Sequence, residues 1–311
     1  MEQSKMGKTA FLFPGQGAQY PGMGKDFFDT FQTAREIYTI AGEAAGLDVG
    51  EICFTENDSL NVTQYTQIAM LTTEVAILKV LEEAGVRADC AAGLSLGEYG
   101  ALAAAKVIAL PQLFWLIYQR GTFMQEAYPV GGAMTAILGL EVDVIRTICR
   151  ETPGIVSIAN DNCPGQIVIS GEAKAVGEAS ARLKEAGAKR CIPLKVSGPF
   201  HSSLLEGAGE KLAKELEDIP VSNPVIPYIC NVEADYVTKC DEIKSLLARQ
   251  VSSAVRWREA MERMLADGVD TFIEIGPGKT LAGFLKKMDR DVRVVNIGRT
   301  EEMEAFLATR P

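Results

Sequence analysis

Cys90-Ala91-Ala92-Gly93-Leu94-Ser95-Leu96-Gly97-Glu98-Tyr99 is the stretch on which the reading of this chain turns. A short apolar run ends in Gly93-Leu94-Ser95-Leu96-Gly97, and a segment of helical composition follows directly. G-x-S-x-G between a strand and a helix is the pattern of a nucleophile elbow. The glycines permit a tight turn that lifts the Ser95 hydroxyl over the end of a sheet, and the Leu96 amide at the helix start can face an oxyanion. The pattern alone is common in a chain of 311 residues, so its placement between strand and helix carries the weight.

Outward from the elbow, short apolar runs alternate with amphipathic segments, the signature of an α/β fold on a mostly parallel sheet. A strand is expected at 10–13, ended by Pro14-Gly15, with helices at about 25–45 and 67–84. Pro111 suits the first turn of a further helix running to about Ala127. Between 132 and 196 the rhythm becomes strand 134–138, helix 142–150, strands 156–159 and 166–170, helix 173–186 and strand 190–196. This βαββαβ order is ferredoxin-like. The α/β rhythm then resumes with helix 203–216, strand 226–230, helices 241–252 and 257–266, strand 271–275, helix 280–288 and strand 292–297. The expected layout is a parallel-sheet body formed by 1–130 and 198–311, with a ferredoxin-like subdomain at 131–197.

Composition narrows the function classes. Hydrophobic residues make up 47% and charged residues 23%, close to ordinary globular domains, which disfavours disorder and coiled coils. The formal charge of −10 is opposite in sign to a phosphate-binding surface, so nucleic acid is excluded as an expected partner. Seven cysteines without a C-x-x-C pair suggest neither a disulfide framework nor a zinc knuckle, and point to a reducing compartment. The first ten residues carry no apolar signal core, and the most apolar run, 107–118, falls short of the ~20 residues of a membrane span. The expectation is a cytoplasmic protein without membrane partners.

Two glycine motifs fail on inspection. Gly15-Gln16-Gly17-Ala18-Gln19-Tyr20 has tyrosine where a dinucleotide fingerprint needs its third glycine, and Gly278-Lys279-Thr280 has Ile273 where a P-loop needs its first. Gly276-Pro277-Gly278 reads either as a strand-to-helix turn or as part of an active-site floor. His201 is the single histidine, so if an imidazole activates Ser95 it must be this one; the plainer reading is a capping or surface histidine. No aspartate stands in an obvious place to complete a triad. Arg120 falls in the middle of the stripe Leu113, Leu116, Ile117, Gly121 and Met124, where a charge needs a partner. It is one half of an internal salt bridge, a snorkelling side chain, or a bidentate cradle for a substrate carboxylate.

Together these residues resemble the malonyl-CoA:acyl-carrier-protein transacylases of fatty acid synthesis over nearly the whole chain. The resemblance rests on Phe13-Pro14-Gly15-Gln16-Gly17-Ala18-Gln19, Ser95-Leu96-Gly97-Glu98-Tyr99, Arg120, Ala159-Asn160-Asp161-Asn162 with Pro164-Gly165-Gln166, Gly198-Pro199-Phe200-His201-Ser202 and Glu274-Ile275-Gly276-Pro277-Gly278. It implies a hydrolase-like α/β domain with a ferredoxin-like insertion. By position it implies Ser95 as acylated nucleophile, His201 as base, Arg120 as clamp for the malonyl carboxylate and the amides of Gln16 and Leu96 as oxyanion hole. Gln250 would orient the histidine through its carbonyl, and Phe200 and Asn162 would line the substrate pocket. Leu94 departs from the family, which commonly has histidine there.

The implied reaction is ping-pong transfer of malonyl from malonyl-CoA to the phosphopantetheine thiol of an acyl carrier protein by a monomer, with neither metal nor redox cofactor. Lys189, Arg190, Lys286 and Lys287 are either the carrier-docking cations or simply a solvated face. The competing readings are an acyltransferase serving a polyketide synthase, a serine esterase and a non-catalytic docking subunit.

Overall fold

The computed structural model describes residues 7–196 and 198–310. The first residues, Ser197 within the quoted segment before His201, and Pro311 lie outside the described residues. Among the described residues ten strands form two sheets: β1 Lys8–Phe13, β2 Cys90–Gly93, β3 Gly132–Leu138, β4 Val156–Cys163, β5 Gln166–Glu172, β6 Arg190–Pro193, β7 Tyr228–Ile229, β8 Tyr236–Val237, β9 Val269–Ile275 and β10 Arg293–Ile297. The six-stranded sheet has the order β10-β9-β1-β2-β7-β8, parallel except for the β7–β8 edge pair. The four-stranded sheet has the order β4-β5-β3-β6 and is antiparallel, with helices Val142–Glu151 and Ala173–Glu185 in the crossovers, as expected for βαββαβ.

The two central strands explain the core. Along β1, Ala10 and Leu12 pack in one cluster with Cys90, Ala92, Phe272 and Trp257, while Phe11 and Phe13 join another with the helices Thr63–Glu83 and Leu110–Ala127. Both faces of the parallel sheet are therefore covered, which is why β1 and β2 read as continuous apolar runs. Helix Thr63–Glu83 is buried almost all round, so its apolar residues follow no stripe and its start lies four residues ahead of the expected 67.

Several expectations need adjusting. The segment read as one helix at 25–45 is two helices, Lys25–Thr30 and Gln32–Ala45, because Phe31 adopts an extended backbone between them and its ring packs 5.9 Å from Phe27. The helix expected at 203–216 begins as a 3-10 turn, Ser203–Leu205, before Glu206–Glu217. Strand β6 stops at Pro193, which has no amide hydrogen for the ladder. Helices Val49–Phe54 and Thr300–Ala308, and the short β8, have no counterpart in the periodicity reading. Among the described residues no helix is long and apolar enough to cross a membrane.

In open α/β sheets ligands bind beyond the carboxyl ends of the strands, where the strand order reverses direction. Here the chain grows from β1 towards β2 and later from β9 towards β10, so the reversal lies between β1 and β9. Gln16 follows β1, and Ser95 follows β2.

Candidate active site

Ser95 sits at φ 57°, a left-handed conformation costly for a residue with a side chain. Its two flanking glycines are required by close approach. A Cβ on Gly93 would run into the Gly97 carbonyl, and one on Gly97 into the Phe13 carbonyl. The elbow is held from outside by Asn231, whose Oδ1 accepts from Ser95 N at 2.7 Å and whose Nδ2 donates to Gly93 O at 2.7 Å.

His201 also has positive φ, 58°, and its Nε2 lies 2.8 Å from Ser95 Oγ. On its other side Nδ1 faces two carbonyls, Gln250 O at 2.9 Å and Ser253 O at 3.1 Å. Carbonyls only accept, so the neutral ring carries its hydrogen on Nδ1 and leaves Nε2 as the acceptor for the serine hydroxyl. Burial, then the Arg120 charge, lower the imidazole to about 4, which keeps it neutral near pH 7. Two carbonyls thus orient the ring where a triad would use a carboxylate.

Arg120 is 1% exposed and lies between these elements. Its Nη1 donates to Gln67 Oε1 at 2.6 Å, and its Nη2 to Gln250 Oε1 at 3.1 Å and to Ser95 Oγ at 3.2 Å. The guanidinium stands 5.6 Å from the Tyr99 ring centroid. Neither plainer reading of Arg120 fits: at this burial it does not snorkel to solvent, and among the described residues it forms no salt bridge. Burial lowers its proton affinity, but an arginine stays protonated.

A cavity of about 260 Å³ opens over Ser95 and His201. Gln16, Leu96, Asn162 and Phe200 all line it, as does Leu94. Its walls come from the segments that follow β1 and β2, from Met134, Ala136 and Val168 of the antiparallel sheet and from Phe284 of helix Thr280–Met288. The Asn162 Oδ1 is buried there with no hydrogen-bond partner. Gly276-Pro277-Gly278 does not line the cavity. It is a turn, with Gly276 at φ 131° packed beside Pro14 and Glu74.

Three of the basic residues, Lys189, Arg190 and Lys287, are brought together at one end of the antiparallel sheet. Arg190 on β6 and Gln166 on β5 both pair with Leu138 of β3, and Lys287 Nζ reaches Gln166 Oε1 at 2.8 Å. Gln166 itself lines the cavity, so this end forms its rim. Lys189 packs beside Gly139 at the same end. None of Lys189, Arg190, Lys286 and Lys287 forms a salt bridge among the described residues.

Three residues of this constellation were not singled out by sequence reasoning: Gln67, Glu98 and Asn231. Gln67 had no signal of the kind that marked Arg120, since it stands ahead of the apolar run Ile68-Ala69-Met70-Leu71 after Thr63-Gln64-Tyr65-Thr66, at the expected helix start, where a polar residue is ordinary. Asn231, after the apolar Tyr228-Ile229-Cys230, had only a weak one.

Residues 10–301 match the acyl transferase domain family. The malonyl CoA-acyl carrier protein transacylase of Bacillus subtilis is 43% identical over 309 residues, covering 98% of each chain. The crystal structure of MCAT from Streptococcus pneumoniae superposes with a TM-score of 0.94 at 46% identity, covering 97% of this chain and 100% of that one. A malonyl-transacylase solved in complex with a type II polyketide synthase acyl-carrier protein has a TM-score of 0.94 at 38% identity, covering 97% of this chain and 100% of that one. With near-complete coverage of both chains in every comparison, this chain belongs to the acyl transferase domain family and, within it, to the malonyl CoA-acyl carrier protein transacylases.

Proposed function

We propose that this protein moves a malonyl group from malonyl-CoA to the phosphopantetheine thiol of an acyl carrier protein through an ester on Ser95, supplying fatty acid elongation. One observation carries the reading: a single oxygen, Ser95 Oγ, lies 2.8 Å from a neutral imidazole and 3.2 Å from a buried guanidinium. An esterase needs the first contact only. A cation beside the nucleophile suits an acyl group that carries its own carboxylate.

In the first half-reaction His201 Nε2 takes the Ser95 proton as Oγ attacks the thioester carbonyl. The oxyanion is received by the amides of Gln16 and Leu96. Collapse breaks the C–S bond, and the leaving thiolate takes the proton back from His201. In the second half-reaction the carrier thiol gives its proton to His201 and attacks the ester, and the proton returns to Ser95 Oγ as the ester breaks. Each step is a proton transfer or an acyl exchange, so the proposal calls for no metal or redox group. Phe200 beside the base limits bulk at the α-carbon, and Asn162 offers a polar contact to the acyl group.

The cationic rim of Lys189, Arg190, Lys286 and Lys287 is assigned to the acidic carrier, in a cytoplasmic setting. Residues 131–197 are then an inserted subdomain that supplies part of this rim and the roof of the cavity, over a body formed by 1–130 and 198–311.

Intact-mass spectrometry tests the chemistry: malonyl-CoA adds one malonyl group to the protein and none to Ser95→Ala. An equal adduct in that variant refutes the assignment. Replacing the four rim cations by alanine is expected to slow carrier acylation by roughly tenfold at low salt while self-acylation persists. Equal loss of both half-reactions would place those residues in coenzyme A binding instead. Comparing carriers of fatty acid and polyketide systems as acceptors separates the two physiological settings.

A further inference from the structure

The nearest opposite charge to Arg120 in its hydrogen-bond network lies one carboxamide away. Gln250 accepts from Arg120 Nη2 through Oε1 at 3.1 Å and donates through Nε2 to Glu98 Oε2 at 2.6 Å. Glu98 is 1% exposed, and the same Oε2 accepts from Asn231 N at 3.0 Å while Oε1 has no partner. Gln250 Nε2 also touches Ser95 O at 3.0 Å, and its own carbonyl holds His201. One residue therefore joins the acid, the cation and the serine backbone through its side-chain amide, and the histidine through its backbone carbonyl.

We propose that Glu98 is a positioning residue that sets acyl selectivity, acting as the counter-charge of Arg120 through the Gln250 carboxamide so that the guanidinium stays available to a substrate carboxylate. This inference rests on the malonyl transfer proposed above. A buried arginine with no counter-charge is costly, whereas a directly paired one has its fork occupied. Spacing the acid by one amide avoids both. The arrangement has a consequence once the substrate binds: its carboxylate and Glu98 then compete for one cation in a low-dielectric site. Malonyl-Ser95 is accordingly favoured when Glu98 takes a proton from solvent. The exchange itself, serine hydroxyl and thioester to ester and thiol, consumes none.

Titration near neutrality fits the surroundings of Glu98. Burial pushes its carboxyl up to about 7, against the hydrogen bonds from Asn231 and Gln250 and the Arg120 charge. The charged or titratable groups facing it are Arg120, Tyr99 on its own helix, and Tyr228 and Cys230 from the neighbouring strand region. Burial raises both tyrosines and moves Cys230 to about 11, so these three stay neutral where Glu98 titrates.

The test is the equilibrium between the acylated protein and free coenzyme A, read by intact mass with malonyl-CoA and with acetyl-CoA, between about pH 6 and about pH 8, where the coenzyme thiol stays mostly protonated. In Glu98→Gln the amide oxygen still accepts from Asn231 N and Gln250 Nε2, so the charge alone is removed. For the unaltered protein the malonyl equilibrium constant is expected to fall roughly threefold or more from the acidic to the alkaline end, while the acetyl constant stays level. In Glu98→Gln the malonyl constant is expected to lose this slope and to sit at or above the acidic value of the unaltered protein. A purely structural role would lower both adducts at every pH and leave the slope in place, which overturns the proposal. Should the variant not fold, the unaltered protein decides, since equal slopes for malonyl and acetyl overturn it as well. Absence of any malonyl adduct on the unaltered protein refutes the transfer reading itself, and the inference with it.

Discussion

Beneath Ser95, Arg120 is held by the amide oxygens of Gln67 and Gln250, and among the described residues its Nε has no partner and it forms no ion pair with a carboxylate. At the carboxyl end of β9, the buried ionisable residues are two acids, Glu274 on the strand and Glu74 on helix Thr63–Glu83, each 0% exposed. Glu274 accepts from Leu281 N at 3.0 Å, Ala282 N at 2.9 Å and Asn296 Nδ2 at 2.6 Å, so it caps helix Thr280–Met288, which carries Leu281 and Phe284 to the cavity wall. Glu74 has no partner on either oxygen, and burial, then the Glu274 charge, drive its carboxyl well above the usual range. One region leaves a cation under-compensated where an anionic substrate arrives. The other spends its fixed charge on closing a helix end and holds its second acid neutral. Buried charge is thus functional in the first region and architectural in the second.

The largest expected effect comes from removing the cation. Arg120→Ala takes away charge-assisted hydrogen bonds of about 1.5–3 kcal/mol each, so kcat/KM for malonyl-CoA should fall by at least ~100-fold, with little change for acetyl-CoA. Thermal melting checks the fold. Equal losses for both acyl groups would make Arg120 architectural too and break the contrast.

Glu274→Gln should show the opposite pattern. It replaces one accepting oxygen by an NH₂ against backbone donors, with a stability loss of about 1–3 kcal/mol in denaturant unfolding. The malonyl-to-acetyl ratio of the folded enzyme is expected to stay unchanged. A changed ratio would mean that the two regions are coupled through the helix.

The smallest effect is expected at Glu74. Its native carboxyl binds a proton more tightly than the unfolded one, so the group's contribution is full below about pH 4.3 and is lost progressively as pH rises above that towards the raised native value. Glu74→Gln removes that loss, and its melting temperature should exceed that of the unaltered protein by a few degrees near neutral pH, with the gap closing towards pH 4. A gap independent of pH would show that Glu74 is not held neutral.

Much of the fold and part of the site are readable from local chemistry. The elbow at Ser95 depends on two glycines within a few residues, and the strand-helix rhythm and the βαββαβ order depend on periodicities that each segment carries by itself. Arg120 was visible as a charge in an apolar stripe, and His201 by being the single imidazole. Helix Thr63–Glu83 was placed less well, since a helix buried on every side has no stripe to read. The break at Phe31 was missed because aromatic packing, not glycine or proline, makes it.

What the chain alone determined, then, is which groups can do chemistry. Tertiary structure decided what they answer to. Whether Arg120 had an acid partner depended on Gln67, Gln250 and Glu98, which arrive from three other helices. Whether the basic residues formed one rim depended on β3 pairing with both β5 and β6, which aligns Arg190 with Gln166 and so with Lys287. Such assignments follow from contacts between residues tens to more than a hundred positions apart. Their energies arise only once water has been excluded from around them, and no local pattern encodes that exclusion.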